Sequence, residues 1–135
     1  YATRETHGEN YLETPEGKSL PVVHCVRGTD GWQIRPEIAR AMPDAVIVDK
    51  PTFGSTALAE LLFEENKKET LEIELVGLCT DICVVSNALL LKSFMPDNRI
   101  AVDPACCAGV TPKSHEAALL TMKMCQIAME GQEQA

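Results

Sequence analysis

From residue 45 onward the chain alternates short β-branched runs with longer helix-like ones, and this alternation narrows the folds open to it. AVIVD (45–49), LEIELVG (71–77) and RIAVD (99–103) are bounded by Pro, Gly or Asp, which predicts three strands. Between and after them, STALAELLFEEN (55–66), DICVVSNALLLKSFM (81–95) and TPKSHEAALLTMKMC (111–125) predict helices. The first opens on Ser55 and spaces its apolar residues helically. The second is apolar on nearly every face and is expected to be buried. The third offers Thr111 as N-cap with Pro112 at the first helical position. The rhythm predicts an α/β fold of three layers, a mostly parallel sheet with helices on both faces. The first 44 residues are polar and rich in Gly, Pro and Thr, with only RPEIARAM (35–42) looking helical. A long ordered segment of that kind inside a compact domain is usually functional. No repeat or linker divides the sequence, so residues 1–135 are expected to form a single domain.

The composition excludes several classes of function. With 45% hydrophobic and 24% charged residues, the chain has the balance of a soluble globular protein. No apolar run approaches the roughly 18 residues a membrane span needs, and no signal peptide is visible. A net charge of −8 with scattered Lys and Arg argues against a nucleic-acid surface and favours a small-molecule substrate. The six cysteines, at 25, 79, 83, 106, 107 and 125, follow neither a secreted disulfide framework nor a zinc-ribbon spacing. They are expected to be reduced, in a cytoplasmic protein.

In parallel α/β folds, sites form at the C-terminal ends of strands. DKPTFGS, CTDIC and DPACCAG occupy those ends here. Cys83 falls in the first turn of the 81–95 helix if Thr80 or Asp81 is its N-cap, and there the helix dipole and unpaired N–H groups favour a thiolate. The same N–H groups can stabilise an oxyanion. Small buried cysteines are also common in apolar helices. Lys50, ending the first strand, is either a lysine in a low-dielectric cleft or a solvated loop residue. The residues alone leave both pairs of alternatives open.

DKPTFGST followed by LVGLCTDICVVSNALLL resembles the cysteine hydrolase superfamily of isochorismatases and nicotinamidases. HCVRGTDGWQIRPEI (24–38), TRETHGENY (3–11) and the closing DPACCAG to HEAAL are similar to further family segments, so the resemblance covers nearly the whole chain. It implies that Cys83 is the nucleophile that forms a thioester, that Lys50 is the catalytic lysine, and that the backbone N–H groups of Cys79 and Cys83 form the oxyanion hole. It also implies a cis peptide bond between Leu78 and Cys79.

The family's Asp, His and His metal ligands fall on Glu5, His7 and His24, which would hold a divalent zinc or iron, with Glu in place of Asp. His115 matches a family histidine with an expected structural role, and Phe53 and Trp32 are expected to line the substrate pocket. The family's catalytic aspartate lies in an N-terminal strand that has no counterpart here. The first strand and the helix after it are therefore expected upstream of Tyr1. Asp49, Asp81 and Asp103 are poor substitutes for it.

The leading expectation is hydrolysis of a small amide such as nicotinamide. The alternatives are an isochorismatase-type vinyl-ether hydrolase, which in the family does without the metal residues, and a non-catalytic oligomeric member of the fold. The resemblance also implies a homo-oligomer, a dimer or a tetramer.

Overall fold

A computed structural model describes residues 1–131. They form two compact units, Tyr1–Thr52 and Phe53 onward.

In the first unit β1 (Ala2–Glu5) pairs in parallel with β2 (Ile47–Lys50), in the register Ala2 to Ile47 through Glu5 to Lys50. The ladder continues as Thr6 N–H donates to the Lys50 carbonyl at 2.9 Å. Beyond it, His7 forms a parallel bridge with Val26. Between these lies α1 (Pro15–Ser19), where Thr14 caps the Gly17 N–H at 3.0 Å and Pro15 fills the first turn. The expected helix at 35–42 is present as α2 (Pro36–Ala41).

The second unit carries a three-stranded sheet in the order β3 (Ile73–Leu78), β4 (Ile100–Ala108), β5 (Ala128–Met129), with both pairings parallel. Three helices accompany it: α3 (Thr56–Asn66), α4 (Val85–Phe94) and α5 (Pro112–Met124). Their starts follow from local chemistry. Ser55 Oγ accepts the Leu58 N–H at 3.1 Å, and Thr111 and Ser114 cap each other's N–H groups ahead of α5. The core gathers Leu58, Ala59 and Leu62 of α3, Ala88 and Leu91 of α4, Ile100 to Val102 of β4, and Ala118 and Met122 of α5.

β4 runs five residues past the expected 99–103 stretch because its pairing with β3 contains a bulge. Between Leu75↔Val102 and Gly77↔Cys107, β3 advances two residues and β4 five. Gly77 sits at this irregularity with φ +123°, a conformation open to glycine and strained for other residues. The mixed fold of parallel sheets and helices is the α/β class expected.

Candidate active site

The cysteine turn lies between β3 and α4. Thr80–Val84 forms a π-helical turn, so the regular helix begins at Val85 rather than at residue 81. Neither Thr80 nor Asp81 caps it. The Cys79 carbonyl instead receives N–H groups from Ile82 and Val84, both at 3.1 Å, on either side of Cys83. The Leu78–Cys79 bond is cis.

Thr80 is fully buried, and its hydroxyl meets His115 Nδ1 at 2.8 Å. Both Asp81 carboxylate oxygens accept the Val110 N–H at 3.2 Å. The Ser114 hydroxyl and that N–H hold the Asp81 carboxyl below the usual range, outweighing its partial burial. His115 and Asp81 thus tie the cysteine turn to the start of α5. Cys83 and Cys79 are half-buried, and no disulfide links any of the six cysteines.

Lys50 belongs to the first unit. It is 3% exposed, and its ammonium donates to the Thr52 carbonyl at 3.1 Å, so it is not a solvated loop lysine. Its neighbour Asp49 bonds Arg4 Nε at 2.8 Å and Arg27 at 3.1 Å, and the Arg4 hydrogen bond is the main cause of its lowered pKa. In the second unit, Asp103 accepts the Ala105 N–H at 2.9 Å. Asp49, Asp81 and Asp103 are therefore each engaged in hydrogen bonds of their own. Trp32 lies 3.5 Å beneath the Arg4 guanidinium and donates its indole N–H to Thr6 Oγ1 at 2.9 Å. Phe53 is exposed, and its carbonyl accepts from Asn87 at 3.0 Å.

The first unit also assembles a donor cluster. Glu5, His7, Glu16 and His24 each present a ligand atom, all within 4.8 Å of one another. Donors held at about 2.0–2.2 Å from one zinc ion lie at most about 4.4 Å apart, so small side-chain shifts suffice to close the set. His7 is buried, and its Nε2 has no hydrogen-bond partner among the described residues while lying 3.6 Å from Glu5 Oε1 and 3.7 Å from Glu16 Oε1. A buried nitrogen without a partner is costly in a native interior. A cation among these groups satisfies it and relieves the repulsion between the two carboxylates.

His24 donates from Nδ1 to the Val22 carbonyl at 2.6 Å, leaving the lone pair on Nε2, the form a metal takes. Tyr11, 1% exposed, packs tilted against the His7 imidazole and edge-on against that of His24, with ring centroids 4.6 and 5.0 Å away, and donates to the Leu20 carbonyl at 2.9 Å. Burial, then the charges of Glu16 and Glu5, push its phenol up, which keeps it a donor. The donor set fits a divalent metal.

The place of Glu16 in the cluster was not legible in the sequence. Its neighbours Thr14 and Pro15 signal a helix start, but the helix is only five residues long and its docking on the Tyr11 turn is tertiary. Gly17 permits that docking, since a Cβ there would lie 2.0 Å from the Tyr11 carbonyl oxygen.

Residues 1–133 match the Isochorismatase domain family. The chain belongs to the isochorismatase family. Among solved structures, the pyrazinamidase of Pyrococcus horikoshii in complex with zinc superposes with a TM-score of 0.75 and 26% identity, covering 95% of this chain and 72% of that one. The nicotinamidase/pyrazinamidase PncA from Bacillus subtilis has a TM-score of 0.73 and 23% identity, covering 94% and 72%. The uncharacterized isochorismatase family protein PncA of Bacillus subtilis (strain 168) is 25% identical over 121 residues, 85% of this chain. The chain spans 64% of that relative's length. Among the described residues no helix is long and apolar enough to cross a membrane.

Proposed function

We propose that the protein is a metal-dependent cysteine hydrolase of small amides of about the size of nicotinamide. The observation that carries this reading over a vinyl-ether hydrolase is the four-donor cluster around the partnerless His7 Nε2. A relative of the same fold, the zinc-bound pyrazinamidase, points the same way.

In this reading the Cys83 thiolate adds to the amide carbonyl, and backbone N–H groups of Cys79 and Cys83 receive the oxyanion. The C–N bond breaks, ammonia leaves with the thiol's proton, and the acyl group remains on Cys83 as a thioester. Water then attacks the thioester, releasing the carboxylic acid and restoring the thiol. Lys50, buried at a strand end, serves as the cationic partner of the reacting groups. Glu5, His7, Glu16 and His24 would hold the divalent metal, which when bound supplies a Lewis-acid charge for orienting and polarising the substrate. None of Asp49, Asp81 and Asp103 is assigned the proton-carrying role, because each is engaged in other bonds.

The test is ammonia release from nicotinamide by zinc-loaded full-length protein, with the acyl-enzyme trapped by acid quench. A mass adduct on Cys83 and a drop on the order of a thousandfold or more in Cys83→Ala are expected. Undiminished release by Cys83→Ala overturns the reading.

A further inference from the structure

Of the three buried residues of α4, Asn87 alone is polar, and it is 5% exposed. Its side chain is used in three directions. One amide hydrogen goes to the Cys83 carbonyl at 2.8 Å and the other to the Phe53 carbonyl at 3.0 Å. The amide oxygen accepts the Ser55 N–H at 2.9 Å, and Ser55 in turn caps α3. One buried amide therefore links the cysteine turn, the Phe53–Ser55 segment and the start of α3.

A π-helical turn contains one residue more than an α-helical turn, so its carbonyls are displaced from the regular ladder and need other support. Thr80–Val84 is held at its front by the two N–H groups on the Cys79 carbonyl and at its back by Asn87 on the Cys83 carbonyl. Fixing that carbonyl fixes the rotation of the peptide plane after Cys83, and with it the backbone from which the Cys83 side chain projects.

We propose that Asn87 is a positioning residue for Cys83, acting through the hydrogen bond from its amide to the Cys83 carbonyl. The inference rests on the reading of Cys83 as the nucleophile. It assigns Asn87 no contact with substrate.

The experiment follows carbamidomethylation of each cysteine by iodoacetamide across neutral pH. Peptide mass spectrometry and melting temperatures are read on full-length wild type and on Asn87→Leu, Asn87→Asp and Asn87→Thr. Leucine removes all three bonds. Aspartate keeps the acceptor for Ser55 and loses both donors. Threonine can donate to the carbonyl four residues back, that of Cys83, while losing the links to Phe53 and Ser55.

Leucine and aspartate are expected to slow Cys83 labelling on the order of tenfold and to move its pH profile. Threonine is expected to restore most of the rate while melting below wild type. Reactivity then separates from stability, which a merely structural role would not do. Wild-type labelling in the leucine variant with only a lower melting temperature overturns the proposal, as does a threonine variant as slow as aspartate. If the leucine variant does not fold, threonine against aspartate makes the same comparison. If wild-type Cys83 labels no faster than the exposed Cys106 and Cys125, the nucleophile assignment fails first and this inference falls with it.

Discussion

Asp81 lies between two cysteines, yet its carboxylate is turned away from thiol chemistry, toward the Ser114 hydroxyl and the Val110 N–H. Its folded-state pKa is below the unfolded value of about 3.9, so the stabilisation is complete above that pH and is lost as pH falls through the folded value. Asp81→Asn is therefore expected to lower the melting temperature at neutral pH, by an amount equivalent to less than about 1 kcal/mol because the group is partly solvated. The difference from wild type should shrink below about pH 4. Parallel melting curves at pH 7 and at acid pH check this. Gly17 is a second single-residue constraint. Adding one methyl would place it 2.0 Å from the Tyr11 carbonyl oxygen, a backbone atom that cannot swing aside. In Gly17→Ala, α1 must shift and carry Glu16 with it, so both a lower melting temperature and at least about tenfold weaker zinc binding are expected. Zinc titration calorimetry reads the second effect without altering any donor. Unchanged affinity in the folded variant would show that Glu16 is no ligand.

At the scale of elements, the C-terminus of α5 closes on a left-handed residue. Gln126 has φ +65°, its N–H donates to the Lys123 carbonyl at 3.1 Å, and the Ile127 N–H reaches Met122 at 3.0 Å. That pair of bonds is a Schellman closure, in which glycine is favoured at the left-handed position. Since Gln126 is exposed and no side-chain hydrogen bond of its own is described, Gln126→Gly should stabilise the protein by about 1 kcal/mol, a rise of roughly 3–6 °C in melting temperature. Thermal denaturation of the pair checks it. The same element shows what the sequence could disclose. The start of α5 was legible because Thr111, Pro112 and Ser114 act locally, and the start of α3 because Ser55 does. The start of α4 was not, because Thr80 and Asp81, which look like caps, bond to His115 and Val110 some thirty residues away, and a π-helical turn precedes the helix. β4 was read too short because an Asp-Pro pair that looks like a strand end lies inside a bulge. α1 and β5 are too short to carry a period. In the donor cluster, Glu5, His7 and His24 were legible through resemblance to a family, whereas Glu16 depends on how a five-residue helix docks.

At the scale of the whole molecule, a metal held by the cluster would couple to folding. Its four donors come from the end of β1, two residues beyond it, α1 and the segment before the Val26 bridge, so the set spans residues 5–24 and comes together in the folded chain. An ion that binds them binds the folded state in preference to the unfolded one, and its free energy becomes folding free energy. Zinc at about 100 times its dissociation constant should therefore add about 2.7 kcal/mol, and a chelator should remove it. The effect should fall when Glu16 is changed to Gln, which keeps the shape and removes the charge. It should fall further in His7→Ala, where the partnerless nitrogen itself is gone. The measurement is the melting temperature against zinc concentration for the three proteins, each with a chelator control. Calcium and magnesium serve as comparison ions, because a set of two imidazoles and two carboxylates favours zinc or another transition metal over these harder cations. If zinc leaves wild type unmoved, or raises all three proteins equally, the cluster is not a metal centre, and the hydrolase reading loses the observation that separates it from a metal-free relative.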